Sequence, residues 1–262
     1  METGQPFLMP KENNVSESSY LSIHSFVDGF SFYTPDSSDY LKRPTFDQEC
    51  KEMLESLLHY SPDQKYESVH WVCHDSPALF IPESQYSSHK EEFYWKYFAA
   101  RNIENTLVVD HDKKYGLKVL YEENSPLIEY LESKIKSIQK KHYLHLLYHR
   151  IMENHPPNKA HCIYVHLSQE HFDLFVFKNN QFELTNTFTL ISEENFLYFL
   201  FYVIEQMNWE SDSFTLFFLG KYDSFSSYYE AVRTYQNNIE FIAANKIAPS
   251  NHPAPFLVNS GL

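Results

Sequence analysis

Histidine is the residue whose number and spacing in this sequence first suggest chemistry. The chain has 14 histidines, and the densest group is His142, His145 and His149. Residues four positions apart share one face of an α-helix, so two of these imidazoles could bind the same metal ion. A zinc site needs a third strong ligand, and the Glu that follows the first histidine in the helical metalloprotease motif is missing. We therefore expect surface or interface histidines and no metal site.

A second candidate is the tripeptide Cys73-His74-Asp75, which places a nucleophile, a base and an acid side by side. Adjacent residues of a strand point to opposite faces, so these neighbours are badly placed to form a triad. The acidic pairs Glu122-Glu123 and Glu193-Glu194 come just before predicted helices, where they favour the helix dipole. These patterns predict no catalytic residue.

Glycine content excludes two common phosphate-binding motifs. Five glycines are present, and no two of them lie within 20 residues of each other. Phosphate-binding loops need several glycines close together, so that bare backbone N–H groups can approach the anion. A P-loop and a dinucleotide-binding fingerprint are therefore both absent.

The charge of the chain argues against nucleic acid as a partner. Lys and Arg total 21 against 35 Asp and Glu, which gives a formal net charge of -14 and repels a phosphate backbone. The one dense cationic run, residues 134–141, is interpreted as a solvated helix face rather than a phosphate-binding patch.

Cysteine usage and hydrophobicity indicate a cytoplasmic protein without membrane insertion. Cys50, Cys73 and Cys162 are scattered and odd in number, which suits a reducing compartment. The longest apolar run, residues 196–204, is less than half the roughly 20 residues that a spanning helix needs.

Residues 162–241 give the clearest fold signal. Residues 162–189 contain three apolar-rich runs separated by short polar turns, which predicts an antiparallel three-stranded meander. Residues 192–209 have an amphipathic helical pattern, and the apolar run 214–219 predicts a further strand that Gly220 closes. The helix carries a dense aromatic face, which we expect to be buried against the sheet: Phe196, Tyr198, Phe199, Phe201 and Tyr202.

The first half of the chain repeats this order. Asp28-Gly29 between two alternating runs predicts a hairpin, a third strand is expected at 40–46, a helix at 46–60 and a strand at 67–73. Placing His24 on His166, an offset of 142 (166 minus 24), also puts Phe30 on Phe172. We interpret both histidines as half-buried, hydrogen-bonded strand residues of two similar lobes.

The domain organisation follows from this repeat. We expect a disordered leader (1–18), a first lobe (19–124), connecting helices (125–159), a second lobe (160–242) and a C-terminal tail along the surface (243–262). The predicted class is α/β, with a mixed sheet in each lobe.

Three segments resemble a known family. Residues 20–32, 165–174 and 217–220 resemble an uncharacterised Bacteroidetes family called domain of unknown function 3822. That family is similar in fold to the actin, sugar kinase and Hsp70 superfamily. The resemblance implies two ribonuclease H-like lobes, each with a three-stranded meander extended by parallel strands and crossover helices.

The resemblance also identifies where a nucleotide would bind. Active members of the superfamily hold ATP through Asp-x-Gly loops after the first strand of each lobe and a Gly-Gly segment at the adenosine. The remnants of this cleft would be Asp28, Gly29, Ser168 and Gly220. Because the carboxylate and most glycines are missing, Mg²⁺ and the phosphates lack their usual ligands. We expect no cofactor.

The expected function is therefore that of a non-catalytic pseudo-ATPase, a binding or scaffold protein. Superfamily members act as docking partners in type IV pilus and secretion assemblies, which implies a protein partner here. The alternative is a divergent nucleotide-binding phosphotransferase or ATP hydrolase. A third reading, a metal-dependent nuclease, would use Asp110 and Asp173.

Overall fold

The fold is a mixed α/β structure with three sheets. The computed structural model describes residues 20–27, 29–34, 37–42, 68–100, 105–123, 125–135, 137–243 and 252–257, together with Gln48, Lys51, Glu52, Glu55 and Asn102. Three predicted features lie outside the described residues: Asp28 of the first predicted hairpin, Cys50 and the predicted leader 1–18.

The strands and helices within the described residues are as follows. The strands are β1 (Tyr20–Phe26), β2 (Gly29–Thr34), β3 (Ser37–Lys42), β4 (Ser68–Cys73), β5 (Ala78–Pro82), β6 (Thr106–Asp112), β7 (Leu117–Glu123), β8 (Ile138–His142), β9 (His161–Leu167), β10 (His171–Lys178), β11 (Gln181–Thr189), β12 (Thr215–Leu219) and β13 (Ile239–Ile242). The α-helices are α1 (Glu91–Phe98), α2 (Ser125–Lys134), α3 (Tyr143–Asn154), α4 (Glu193–Met207) and α5 (Ser226–Arg233).

Two five-stranded sheets share one topology. Their strand orders are β3-β2-β1-β4-β8 and β11-β10-β9-β12-β13. In each, the first three strands form an antiparallel meander and the last two add in parallel. This is the predicted fold class of two ribonuclease H-like lobes, and it is confirmed.

The repeat extends to the register of single residues. His24 of β1 pairs with Ser31 of β2, and His166 of β9 pairs with Asp173 of β10. The offset of 142 that relates the two histidines (166 minus 24) therefore also relates Ser31 to Asp173 (173 minus 31). Equivalent strands thus present their side chains on equivalent faces.

Strand β8 differs from the sequence prediction. The sequence predicts connecting helices in this region and a helix face for the cationic run 134–141, but Ile138–His142 pairs in parallel with β4. Lys140 is bound by the buried Glu123 at 2.8 Å and by Glu132 at 3.1 Å. The polar sequence forms an edge strand because its lysines have carboxylate partners. The boundaries of the first lobe, the connecting segment and the second lobe stay a prediction.

A smaller sheet, β5-β7-β6, is inserted between β4 and α2. The pair Glu122-Glu123 ends β7 just before α2 begins at Ser125, as expected, and both side chains are buried. Glu122 accepts a hydrogen bond from the Asn102 backbone N–H at 3.0 Å. The other acidic pair, Glu193-Glu194, does begin α4, which Ser192 caps by accepting from the Asn195 N–H.

The core divides along the two faces of β9. Because side chains alternate along a strand, Cys162 and Tyr164 lie in the cluster with α3, whereas Ile163 and Val165 lie in the cluster with α4 and α5. The cluster around α3 also contains residues of β4, β7 and β12. Helix α3 therefore lies between the lobes, and both lobes pack on it.

Helix α4 buries less of its aromatic face than predicted. Phe196 is fully buried, but Tyr198 is 64% exposed and Tyr202 is 49% exposed. These two tyrosines lie four residues apart, on the side of the helix away from the sheet. Within the described part of the chain, none of the helices has the length and hydrophobicity that crossing a membrane requires.

The C-terminal segment does not run along the surface. Residues 252–257, which we call the cleft segment, are all buried, and Phe256 and Leu257 belong to the core cluster around α3. The expectation of a surface tail was wrong for this segment, because its apolar residues complete the core between the lobes.

This packing predicts that Leu257→Ala lowers the free energy of unfolding by about 2–5 kcal/mol, since it removes a fully buried side chain from the core. The measurement is chemical denaturation followed by circular dichroism. Ile191, which is 74% exposed, provides the control, because Ile191→Ala should change the value by no more than about 0.5 kcal/mol. Equal small effects of the two substitutions would contradict a buried cleft segment.

Candidate functional site

The candidate site lies between the lobes, where the β1–β2 and β9–β10 hairpins meet the cleft segment. His252 of this segment hydrogen-bonds through Nε2 to Ser31 Oγ of the first lobe at 2.8 Å. The next residue, Pro253, accepts a hydrogen bond from the Gln169 N–H of the second lobe at 3.1 Å. The cleft segment thus bridges the two hairpins.

Buried histidines form the first-lobe wall of this site. His24 Nδ1 lies 3.1 Å from His74 Nε2, and His24 Nε2 lies 3.1 Å from Ser22 Oγ. The ring of His74 stacks on Tyr143 with ring centroids 4.6 Å apart and an interplanar angle of 10°. Burial lowers the pKa of His24 to about 3 and also lowers that of His74, so both imidazoles are neutral near pH 7.

A carboxylate with no solvent exposure forms the second-lobe wall. Asp173 Oδ1 accepts hydrogen bonds from Tyr143 Oη at 2.8 Å and Thr187 Oγ1 at 2.6 Å, and Oδ2 lies 2.9 Å from His166 Nδ1. Burial alone would raise the pKa of Asp173, but the nearby imidazoles of His171 and His166 and these hydrogen bonds outweigh burial and lower the pKa. The carboxylate is therefore ionised.

Tyr143 joins the two walls. It is the first residue of α3, and its hydroxyl reaches Asp173 while its ring stacks on His74. Burial and the charge of Asp173 raise the pKa of Tyr143 well above its ordinary value, so the phenol stays a donor. The side chain makes one polar network out of the two lobes.

Three buried ring nitrogens in these walls have no hydrogen-bond partner among the described residues: His74 Nδ1, His166 Nε2 and His171 Nε2. All three rings are neighbours of Tyr143. Unpaired buried nitrogens are positions where an ordered water or a small polar ligand binds. The walls can thus hold a small polar group beside these nitrogens.

The predicted cleft residues are only partly brought together. Asp28 lies outside the described residues, and Gly29 is buried in β2, opposite Phe26. Ser168 Oγ donates to the His171 carbonyl at 2.8 Å and accepts from the His171 N–H, so the serine stabilises its own turn. These two hairpins flank the cleft segment.

Gly220 has a different role. Its φ of +82° is in the left-handed region, and its N–H donates to the Ile242 carbonyl at 2.8 Å. A Cβ atom at this position would meet the ring of Tyr222 at 2.2 Å. The glycine is therefore required by local backbone geometry.

The other sequence candidates also need correction. His142 and His145 are buried rather than at the surface, and His24 and His166 are fully rather than half-buried. His142 caps α3 through Nδ1, which accepts from the Leu144 N–H. Of these five histidines, only His149, which is half-buried, is partly open to solvent.

The Cys73-His74-Asp75 tripeptide does not form a triad. The Cys73 thiol donates to Asp75 Oδ1 at 3.0 Å, while His74 contacts His24 and Tyr143 instead. Burial and the Asp75 carboxylate raise the pKa of Cys73 well above its ordinary value, which disfavours a nucleophilic thiolate.

The two carboxylates of the nuclease reading have separate partners. Asp110 binds the His142 N–H and His145, while Asp173 binds Tyr143 and His166. Sequence reasoning gave no role to Tyr143 or His252. The internal repeat could have drawn attention to Asp173, because it occupies the position equivalent to Ser31, 142 residues earlier in the chain (173 minus 31).

The two lobes and the site between them define a protein with the actin-like ATPase fold. A crystal structure from Bacteroides thetaiotaomicron VPI-5482, a protein with this fold and unknown function, is similar at a TM-score of 0.71 and 17% identity over 86% of this chain and 91% of that chain. The PilM-PilN type IV pilus biogenesis complex is similar at a TM-score of 0.50 and 8% identity over 92% of this chain and 96% of that chain.

The chain belongs to the family described as "Protein of unknown function (DUF3822)", whose sequence model matches residues 10–239. The predicted family is thus confirmed. No curated protein matches the sequence.

The buried histidines of the site predict acid sensitivity. The pKa of His252 falls through burial from 6.5 to about 4, so below pH 6.5 the unfolded chain binds a proton that the folded chain does not. The free energy of unfolding should therefore fall as the pH drops from about 6.5 to about 4. His252→Asn should reduce the change in unfolding free energy per pH unit by up to about 1.4 kcal/mol, which corresponds to one proton.

Urea denaturation at several pH values between 7 and 4 measures the slope. His89→Asn, at an exposed position, is the matched control and should leave the slope unchanged. If His252→Asn also leaves it unchanged, His252 is not a buried neutral imidazole in the folded protein.

Proposed function

We propose that this protein is a non-catalytic member of the actin-like fold that works by binding another protein. The observation that carries the proposal is the cleft segment, which lies between the two hairpins and hydrogen-bonds to Ser31 on one side and Gln169 on the other. A nucleotide in the position used by active relatives would have to displace this segment from the core around α3.

The residues of the hairpins support the same proposal. His24 stands in the first strand and is bonded to His74 and Ser22, while the second hairpin turn contains Ser168, Gln169 and Glu170 without a glycine. Binding of Mg²⁺ and phosphate needs carboxylate ligands and free backbone N–H groups. Here the Ser168 N–H and the Gln169 N–H already donate to carbonyl groups.

The PilM-PilN complex supports a role in protein binding by analogy of fold. A partner would find exposed aromatic side chains on one side of the second lobe. Tyr198 and Tyr202 of α4 stack on each other at 6.3 Å between ring centroids, and Tyr235 is 60% exposed and lines the same shallow pocket. We call Tyr198, Tyr202 and Tyr235 the tyrosine patch. Exposed tyrosines are frequent anchors of protein interfaces.

The alternative, a divergent nucleotide-binding phosphotransferase or ATP hydrolase, makes the opposite prediction about ATP. We expect that ATP with Mg²⁺ produces no thermal shift, because the cleft segment occupies the space between the hairpins. The measurement would detect binding, since a ligand at tenfold its dissociation constant would stabilise the protein by more than about 1 kcal/mol. The doubly substituted variant His252→Asn, Leu257→Ala loosens the cleft segment and should also show no shift. A shift in the unaltered protein, or in this variant alone, would establish a nucleotide site and support the enzyme.

A second prediction tests the partner directly. In-cell crosslinking of the protein in its native host should recover a partner that the variant Tyr198→Ser, Tyr202→Ser loses, because these exposed side chains contribute to binding but not to folding. The matched control is Phe93→Ser, Tyr97→Ser, which removes an exposed aromatic pair from α1 and should retain the partner. The same recovery from all three proteins would exclude the tyrosine patch as the binding surface.

A further inference from the structure

A cluster outside the interlobe site brings three metal-binding side chains together. Asp112 is the last residue of β6, and His145 and His149 are four residues apart on α3. We call these three residues the Asp112 cluster. One ligand atom from each lies within 4.8 Å of the other two. The sequence pattern offers no third ligand beside the helical histidines, and in the structure Asp112 is that ligand.

The donor atoms of the Asp112 cluster converge on one point. His145 Nε2 lies 3.1 Å from Asp112 Oδ2, and His149 Nε2 lies 2.7 Å from the same oxygen. The spacing of four residues places both imidazoles on one face of the helix, opposite the end of β6. Two imidazole nitrogens and one carboxylate oxygen form a ligand set that Zn²⁺ uses in proteins.

Further contacts hold the cluster in position. His145 Nδ1 lies 3.2 Å from Asp110 Oδ2, which also accepts the His142 N–H at 3.1 Å. The other oxygen of Asp112 accepts the Tyr115 N–H at 3.1 Å. A carboxylate on the far nitrogen of a histidine ligand is the arrangement that orients metal-bound imidazoles and fixes their tautomer.

Both ring nitrogens of His145 face carboxylates, since Nδ1 lies beside Asp110 and Nε2 beside Asp112. With a metal ion at Nε2, an Nδ1–H would donate to Asp110, which would hold the ring in the orientation that the ion requires.

The identity of the ion follows from the ligands and the exposure. Nitrogen donors favour Zn²⁺ and its neighbours over Mg²⁺ and Ca²⁺, which prefer oxygen. The His149 side chain is 35% exposed, so an ion can enter from solvent and keep a water as fourth ligand.

A second group, His166, His171 and Asp173, is less suited to a metal. Asp173 already accepts from Tyr143, Thr187 and His166, and its carboxylate is fully buried. A metal there would have to break these hydrogen bonds between the lobes. This group serves as the comparison in the experiment.

We propose that Asp112, His145 and His149 form a binding site for a Zn²⁺-like divalent transition-metal ion, with Asp110 as the positioning residue of His145. The ion connects the small sheet to α3 and leaves one coordination position for water. The proposal is independent of the proposed protein-binding function.

Calorimetric titration of the tag-free protein with Zn²⁺ tests the site. We expect one equivalent to bind and to raise the melting temperature. His149→Ala, at a partly exposed position, should abolish this binding, and Asp110→Asn should weaken it by about 10–100-fold. Co²⁺ should give the intense visible absorption of a four-coordinate site in the unaltered protein, and His149→Ala should lose it.

Two control variants separate this site from other histidines. His171→Ala alters the comparison group, and His89→Ala alters an exposed histidine, so both should still bind one equivalent with unchanged affinity. Circular dichroism of each variant establishes that it is folded. The proposal is overturned if the unaltered protein binds no Zn²⁺, if His149→Ala binds it as well as before, or if His171→Ala is the variant that loses it.

Discussion

The buried carboxylate of Asp173 is the group that the rest of the interlobe structure must accommodate. An ionised carboxylate away from water is very costly unless hydrogen bonds and nearby positive partners replace its hydration. Tyr143, Thr187 and His166 supply these bonds, and each comes from a different element. Since Tyr143 is also the first residue of α3, satisfying this one charge fixes how the helix that both lobes pack on begins.

The cleft segment depends on the same arrangement. Its apolar residues Phe256 and Leu257 fill space beside Tyr143 and Tyr164, while His252 and Pro253 bond to the hairpins. Under the proposed function, this space corresponds to the nucleotide cleft of active relatives. Here a covalently attached segment fills it, so its effective concentration is high and no binding step is needed. The proposed loss of ATP binding and the stability of the lobe arrangement then have a common cause.

Much of the fold could be predicted from the sequence because its strands alternate and its lobes repeat. The meanders, helix α4 and the offset of 142 residues between His24 and His166 (166 minus 24) follow from local patterns. Strand β8 could not be predicted, since Gln139, Lys140 and Lys141 lack an apolar pattern and become a strand only beside β4. Burial of the cleft segment was missed for the same reason: its composition is that of a loop, and its partners are far away in the chain.

The two candidate sites also combine residues that are close in the sequence with residues that are far apart in it. His145 and His149 were recognised by their helical spacing, but Asp112 lies 33 residues before His145 and no spacing rule connects them. The partners of His24, by contrast, include Ser22 on its own strand and His74, 50 residues away. Residue types and local periodicity predict which groups share a face of one element, and only the packing of elements shows which faces meet.

The bond between His252 and Ser31 joins residues 221 positions apart. Because residues 252–257 follow both lobes in the chain, the ribosome makes both hairpins before the segment that fills the space between them. The contacts of this segment can therefore form only after it has left the ribosomal tunnel. Newly made molecules thus pass through a stage in which the bonds of His252 to Ser31 and of Pro253 to Gln169 are still missing, and the two hairpins are joined by this segment only at the end of synthesis.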